Sequence, residues 1–374
     1  MKEKWLNRIA VVGSIVVLGL WAWWLFRPQP TQLISFALKA RWKVKGITLS
    51  DIAFSPKGDW LATSVSDFQK GRSVLTVHLW QVSKAQTKPK VLTIRQLQPR
   101  SITSRPELDF SPDGRLLAIG YMEQYVGKVD IFTIPDGQRL RTITMGKIKR
   151  MPVLPVTFTP DGRLAIIHDF QLWFVRIEDG KKKATNIQAE EVAFSPDGRW
   201  MAAVQKNALS LYDANGHLFR QIQLPSPIVW RTTTFSKDGQ RLACLWFPRR
   251  RKLPFPRPQY NVSVWQTKDG RLVWSAPLTP EISSLYTAFA PDLSMVALFE
   301  PDRFKHFVVR LLTRHSPSEP PPTQLVVRRL SDGQVVAKLP RFGHNVGDCA
   351  FSPDGRYLAV SHINTISLWE RKED

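Results

Sequence analysis

At 374 residues, 43% of them hydrophobic, the chain is long and apolar enough to bury a sizeable core, which excludes a disordered polymer. Lys and Arg number 53 against 31 Asp and Glu, a formal charge of +22, so any broad electrostatic partner is anionic: nucleic acid, anionic lipid, an acidic polymer or an acidic protein. Two cysteines, Cys244 and Cys349, exclude a disulfide framework and a four-cysteine zinc site, and neither falls in a CxxC.

Residues 1–8 form a short basic tail carrying Lys2, Lys4 and Arg8. Residues 9–26, IAVVGSIVVLGLWAWWLF, are an uncharged run of 18 that spans roughly 27 Å as a helix, close to a bilayer core. Trp21, Trp23 and Trp24 crowd its far end, where indole rings settle at the headgroup level. A cleaved secretory signal needs small residues at its exit, whereas here Trp-Trp-Leu-Phe leads into Arg27-Pro28. The run is therefore expected to be an uncleaved transmembrane signal anchor; a buried soluble helix is the alternative. Three cations before it, against Arg27 alone before Lys39 after it, favour a cytoplasmic amino terminus with the rest of the chain outside the cytoplasm. Residues 27–34, with Pro28 and Pro30, form a linker to a domain over 35–374.

That domain is a sevenfold repeat. DIAFSPKGDWLATS at 51, LDFSPDGRLLAIG at 108, VTFTPDGRLAIIH at 156, VAFSPDGRWMAAV at 192, TTFSKDGQRLACL at 233, TAFAPDLSMVALF at 287 and CAFSPDGRYLAVS at 349 share one pattern. Its anchors are Phe54, Phe110, Phe158, Phe194, Phe235, Phe289 and Phe351, about 50 residues apart, the spacing of propeller blades rather than of shorter helical repeats. In the Ser-Pro-Asp-Gly core, Pro fixes φ, Asp bonds back to the backbone and Gly takes positive φ, so the unit joins two antiparallel strands. Small residues just before the Phe, and an Ala eight after it in six copies, suit inner strands where radially packed sheets come closest. A third strand follows in most copies and ends in an aromatic (Trp80, Phe132, Tyr212, Trp265, Trp369); a second turn such as Asp136-Gly137 or Asn215-Gly216 then leads to a fourth strand. Four strands times seven copies predicts an all-β, seven-bladed β-propeller. The seventh copy stops after its third strand, and residues 35–44, SFALKARWKV, are placed to supply the missing one and close the ring.

On these residues the chain resembles the WD-repeat propeller family and the related propellers whose repeats centre on an SPDG turn, from about residue 33 to 371. The last copy matches best: the resemblance implies that His344, Ser361 and Trp369 form the family's structural hydrogen-bond network. Elsewhere the pattern departs: no Trp-Asp pair occurs, Glu370 and Gln81 stand where the family has Asp, and one copy keeps Gly-His ahead of the anchor. The fold hosts many functions, so the resemblance carries architecture rather than activity.

In such blades the SPDG turns and the turns after the third strands share one face, here called the turn face. The closing strand begins on it, so after the short linker this face is expected to look toward the bilayer, with Arg115, Arg163, Arg199, Arg356 and residues 181–183 beside anionic headgroups. Two long second-to-third connections, 246–260 and 301–324, fall on the opposite face in adjacent copies. Arg249, Arg250, Arg251, Lys252, Phe255 and Arg257, with Arg303, Lys305, Arg310 and Arg314, form a candidate basic patch for an acidic partner. Solvated insertions are the alternative, and residues 304–312 could instead lengthen a hairpin of the sixth blade.

Reactive motifs are missing from the sequence. There is no GxxxxGK[ST], no GxGxxG at a strand-helix junction and no GxSxG, and the seven histidines never fall in HExxH or HxH spacing. Asn261-Val262-Ser263 fits a glycosylation acceptor but leads a strand. No cofactor, metal or catalytic residue is assigned. The expected function is a non-catalytic, membrane-anchored scaffold that binds a protein or anionic polymer through its membrane-distal loops. An enzyme with a site in the axial channel, or a nucleic-acid binder on a cytoplasmic propeller, are the alternatives.

Overall fold

Each SPDG unit folds as a hairpin whose turn is fixed by its own side chains. Ser111 Oγ donates to Asp113 Oδ1 at 2.6 Å and accepts the Leu116 amide at 2.8 Å, while Asp113 Oδ1 also accepts the Arg115 amide at 3.0 Å. The same set recurs around Ser195–Asp197, Ser236–Asp238 and Ser352–Asp354. The Ser is buried in every such turn, so its hydroxyl must be satisfied locally, and the Asp supplies the acceptor.

In the computed structural model, the described residues are 34–44, 47–69, 72–84, 88–97, 106–150, 154–206, 208–223, 228–248, 260–279, 287–301, 323–342 and 346–372. They belong to one compact unit, Ile34–Asp374. The expected span at 9–26, its basic tail and its linker up to residue 33 lie outside them. No helix among the described residues is long and apolar enough to cross a membrane.

The described strands form seven four-stranded antiparallel sheets, lettered a to d from the axis outwards. Blades 1 to 6 cover 47–97, 107–147, 156–188, 191–223, 228–279 and 287–342, and blade 7 combines 346–371 with 36–43. The strand expected to close the ring runs Phe36–Lys43 and pairs antiparallel with Thr365–Arg371, from Phe36 opposite Arg371 to Lys43 opposite Thr365. The first strand of the domain is thereby the outermost strand of the last blade, which removes an open end from the ring.

Packing lies between the blades, and small residues set its closest point. The residue before each anchor Phe pairs across the a–b hairpin with an Ala in all seven blades: Ala53 with Ala62, Asp109 with Ala118, Thr157 with Ala165, Ala193 with Ala202, Thr234 with Ala243, Ala288 with Ala297 and Ala350 with Ala359. The third unit, in which the Ala comes seven rather than eight residues after the Phe, has a turn one residue shorter: Phe158 pairs with Leu164, whereas Phe194 pairs with Met201. Ala165 thus reaches the same cross-strand position by a different count. The Pro and Gly of the turns also pack between blades. A Cβ at Gly114 would meet Pro56 Cδ at 3.6 Å, and one at Gly198 would meet Pro160 Cβ at 3.3 Å, so the Pro of one turn abuts the Gly of the next.

Candidate functional site

Strand a of each blade is an edge of its sheet, so the amides it does not pair within the sheet need acceptors. At three junctions a carboxylate from the preceding blade supplies one. Asp51, on strand a of blade 1, accepts the Leu108 amide of blade 2 and its own neighbour's amide, Ile52, at 2.9 Å. Asp109 of blade 2 accepts the Phe158 amide of blade 3 at 2.6 Å and the Thr157 hydroxyl at 2.8 Å on the same oxygen. Glu191 of blade 4 accepts the Thr233 amide of blade 5 at 2.6 Å. Between blades 5 and 6 the link is Thr232 Oγ1 to Thr287 Oγ1 at 3.1 Å.

Where blade 7 meets blade 1 the stitch has a different chemistry. Asp348 Oδ1 accepts the Cys349 amide at 2.7 Å, and its carboxyl hydrogen-bonds the side chain of Asp51, so two acids meet at the join that closes the ring. Glu107 adds a further negative field at Asp348, and Asp109 does so at Asp51. Burial raises Asp348 well above the usual carboxylate range, the Asp51 charge raises it further, and burial raises Asp51 as well. Burial also lifts Glu191 to about 7 and Asp109 to about 6, in each case against the lowering effect of the amide each accepts. The result is a set of inner-strand carboxyls whose pKa values burial raises, each engaged in holding the next blade.

Outside this ring, reactive chemistry is sparse. Among the described residues no cluster of three or more His, Cys, Asp and Glu could hold a metal ion. Cys244 and Cys349 are free and buried, and burial raises both thiols, so neither is a ready nucleophile. A groove of 730 Å³ opens on the turn face between blades 3 and 4, with Arg163, Phe174, Lys183, Phe194 and Trp200 in its walls; the Arg163 guanidinium lies 4.8 Å from the Phe174 ring centre.

The partner-binding residues expected from the sequence, Arg249, Arg250, Arg251, Lys252, Phe255, Arg257, Arg303, Lys305, Arg310 and Arg314, lie outside the described residues. The strands that flank the two excursions are described. Arg241–Pro248 and Tyr260–Gln266 bracket the first, and Met295–Pro301 and Thr323–Arg329 bracket the second, each at the b–c end of its blade, opposite the turn face.

His344 of the expected structural network also lies outside the described residues, and the structure does not join the other two members. Ser361 Oγ accepts the Asp348 amide at 2.7 Å, while the buried Trp369 Nε1 has no hydrogen-bond partner among the described residues. Blade 1 makes the bond instead: Trp80 Nε1 donates to Thr63 Oγ1 at 3.1 Å. The reason is register. Trp80 pairs with Leu61, two residues before Thr63, and Trp369 pairs with Leu358, two before Val360; Ser361 is one further along and points to the other face. Val360→Thr should therefore give Trp369 a partner and raise stability by about 1 kcal/mol, read from urea midpoints; no gain would contradict the register argument.

Comparison with known proteins agrees with this architecture. A family model described as "WD domain, G-beta repeat" matches residues 333–370, the d strand of blade 6 with the three strands of blade 7. A comparison with curated proteins found no match. Among solved structures, the chain is similar to the β-propeller domain of Cps50 (Swd1) from Myceliophteria thermophila, at 16% identity and a TM-score of 0.57, over 90% of this chain and 99% of that one. The chain is a seven-bladed β-propeller that carries a WD-repeat match across its sixth and seventh blades.

Proposed function

We propose that the protein is a membrane-anchored, non-catalytic propeller that holds an acidic protein or polymer on the face opposite its turn face, outside the cytoplasm. The observation that carries the reading is the position of the closing strand. Phe36 pairs with Arg371, and the Lys372 amide donates to Ser35 O at 2.9 Å, so the chain enters the ring on the turn face. Residues 27–35 between the apolar run and this strand reach at most roughly 30 Å. An anchor in 9–26 then keeps the turn face toward the bilayer and leaves the b–c face, with both arginine-rich excursions, free for a partner. Propellers of this kind typically serve as interaction scaffolds, and the inner-strand carboxyls here are engaged in blade-to-blade bonds rather than held open for chemistry.

The test is binding of a polyglutamate peptide to the full chain in lipid nanodiscs. Replacing Arg249, Arg250, Arg251 and Lys252 with Gln should weaken binding by about tenfold or more and flatten its salt dependence. Replacing Lys181, Lys182, Lys183 and Arg199 with Gln on the turn face should leave it nearly unchanged. Equal losses from both sets would mean that the net charge, not the distal loops, attracts the peptide.

A further inference from the structure

Nine large apolar side chains are exposed among the described residues, and seven of them stand at the same level of their blades. Leu38, Val91, Leu140, Leu218, Phe219, Leu272 and Val273 all lie in the first three residues of an outermost strand, at its turn-face end, with exposures from 44% (Leu38) to 55% (Leu218). The other two, Tyr125 and Ile363, are on b–c turns at the opposite face. The seven come from blades 7, 1, 2, 4 and 5, so they form an interrupted ring around the rim rather than a local patch. In four of these blades a β-bulge falls at this level, between Leu38 and Ala40, at Ile131/Phe132, at Leu211/Tyr212 and at Val264/Trp265. Bulges turn the strand and bring consecutive residues such as Leu218-Phe219 and Leu272-Val273 outwards together.

Each single apolar residue or apolar pair is flanked in the chain by a cation: Leu38-Lys39, Lys90-Val91, Arg139-Leu140-Arg141, Leu218-Phe219-Arg220 and Arg271-Leu272-Val273. Lys39 and Arg139 are paired with carboxylates, with Glu370 at 3.4 Å and with Asp130 at 3.8 Å, whereas two of these cations are held by carbonyls, which leave their charge uncancelled. Lys90 Nζ donates to Pro135 O at 2.8 Å, and Arg141 Nη2 to Glu178 O at 2.8 Å. On blade 3, which contributes no exposed apolar residue, Lys182 Nζ donates to Thr144 O at 2.8 Å. Leucine and valine tips alternating with fixed Arg and Lys, on one rim and at one level, match the boundary between acyl chains and anionic headgroups.

We infer that this rim is a lipid-contact surface, by which the turn face seats on an anionic bilayer. The inference rests on the membrane-anchored reading and deepens it, because the strand that joins the ring to the apolar run opens this same face at Phe36. Two contacts, one covalent anchor and one shallow basic-apolar rim, would fix the tilt of the propeller and hold the b–c face outward.

The experiment uses the full chain in vesicles, with an environment-sensitive fluorophore on Leu140→Cys or Leu272→Cys, and on Tyr125→Cys or Ile363→Cys as the opposite-face controls. Both native cysteines are buried, so labelling is selective. In phosphatidylcholine vesicles with about 30% phosphatidylglycerol, the rim labels should blue-shift and be quenched by doxyl lipids several-fold more than the controls. The contrast should shrink in pure phosphatidylcholine and in a Lys90→Gln, Arg139→Gln, Arg141→Gln background. Equal quenching at all four positions overturns the inference. So does burial of the rim labels in detergent that grows with protein concentration, because a second copy then covers the rim. Carbonate extraction of the same vesicles reads the anchor separately. If the chain is extracted, the anchored reading fails, and flotation of the chain with anionic but not neutral vesicles still decides for the rim, while flotation with neither decides against it.

Discussion

Raising the pH from about 4 to about 7 should lower the stability of this protein, the reverse of what is expected for a fold that depends on ionised carboxylates. Glu191, Asp109, Asp51 and Asp348 all have folded-state pKa values raised by burial on the inner strands. In the unfolded chain they titrate near pH 4, so between there and neutrality the folded state binds more protons than the unfolded state. The slope of unfolding free energy with pH is negative where the folded state binds more protons, so stability fully present below about pH 4 is lost as pH rises through the folded pKa values. With about 1.4 kcal/mol per unit and allowance for solvent in the channel, Glu191 and Asp109 each contribute on the order of 2 kcal/mol to the decline. On the acid side the sign reverses. Asp113, Asp161, Asp197, Asp238 and Asp354 are held below their usual range by hydrogen bonds from turn hydroxyls and amides and, foremost at Asp161, from the Arg163 guanidinium, so they cost stability once the pH falls below about 4. Urea midpoints across this range should peak near pH 4 to 5. Asp348→Asn, which keeps a donor toward Asp51 and removes one ionisation, should stabilise the chain at pH 8 and change little below about pH 4. A midpoint that climbs steadily from pH 5 to 8 would contradict the assignment of these acids as protonated links.

Trp42→Ala should be among the most damaging single changes in the chain, at about 3 to 5 kcal/mol. Trp42 sits on the closing strand, is 7% exposed, and stacks on Trp80 of blade 1 with ring centres 4.7 Å apart. It shares a core cluster with Leu61 and Trp80 of blade 1 and with Ile366 and Leu368 of blade 7. One side chain on the amino-terminal strand therefore packs the first blade against the last. Hydrogen exchange on Thr365–Arg371 should accelerate in the variant before exchange on the a–b hairpins of blades 3 and 4 does. A loss under about 1 kcal/mol, or uniform acceleration, would place ring closure elsewhere.

Much of this architecture was legible because the repeat repeats its physics. The Phe anchors, the turn chemistry and the short seventh copy led to seven blades and to a closing strand at 35–44, and these follow from local residue types. The inner acids left a signal of the same kind that charge counting passed over: Asp51, Glu107, Glu191 and Asp348 each stand three residues before an anchor Phe. A net charge of +22 drew attention to the cations, whereas the acids matter because of where strand a puts them. Ser361 shows the opposite limit. A one-residue difference between Val360 and Ser361 exchanges the two faces of a strand, and only the pairing of Trp369 with Leu358 fixes which residue lies beside the indole. The apolar rim was hidden for a related reason, since Leu218-Phe219 reads as ordinary strand alternation until the bulge turns both outward.

The measurement that bears most directly on the anchored, outward-facing propeller is labelling of Ile363→Cys by a membrane-impermeant maleimide. Ile363 is exposed on the b–c face, and the two native thiols are buried. Labelling in intact cells, on a chain that stays with the membrane pellet through carbonate extraction, is the predicted result; labelling only after the membrane is permeabilised, or release of the chain by carbonate, would contradict it.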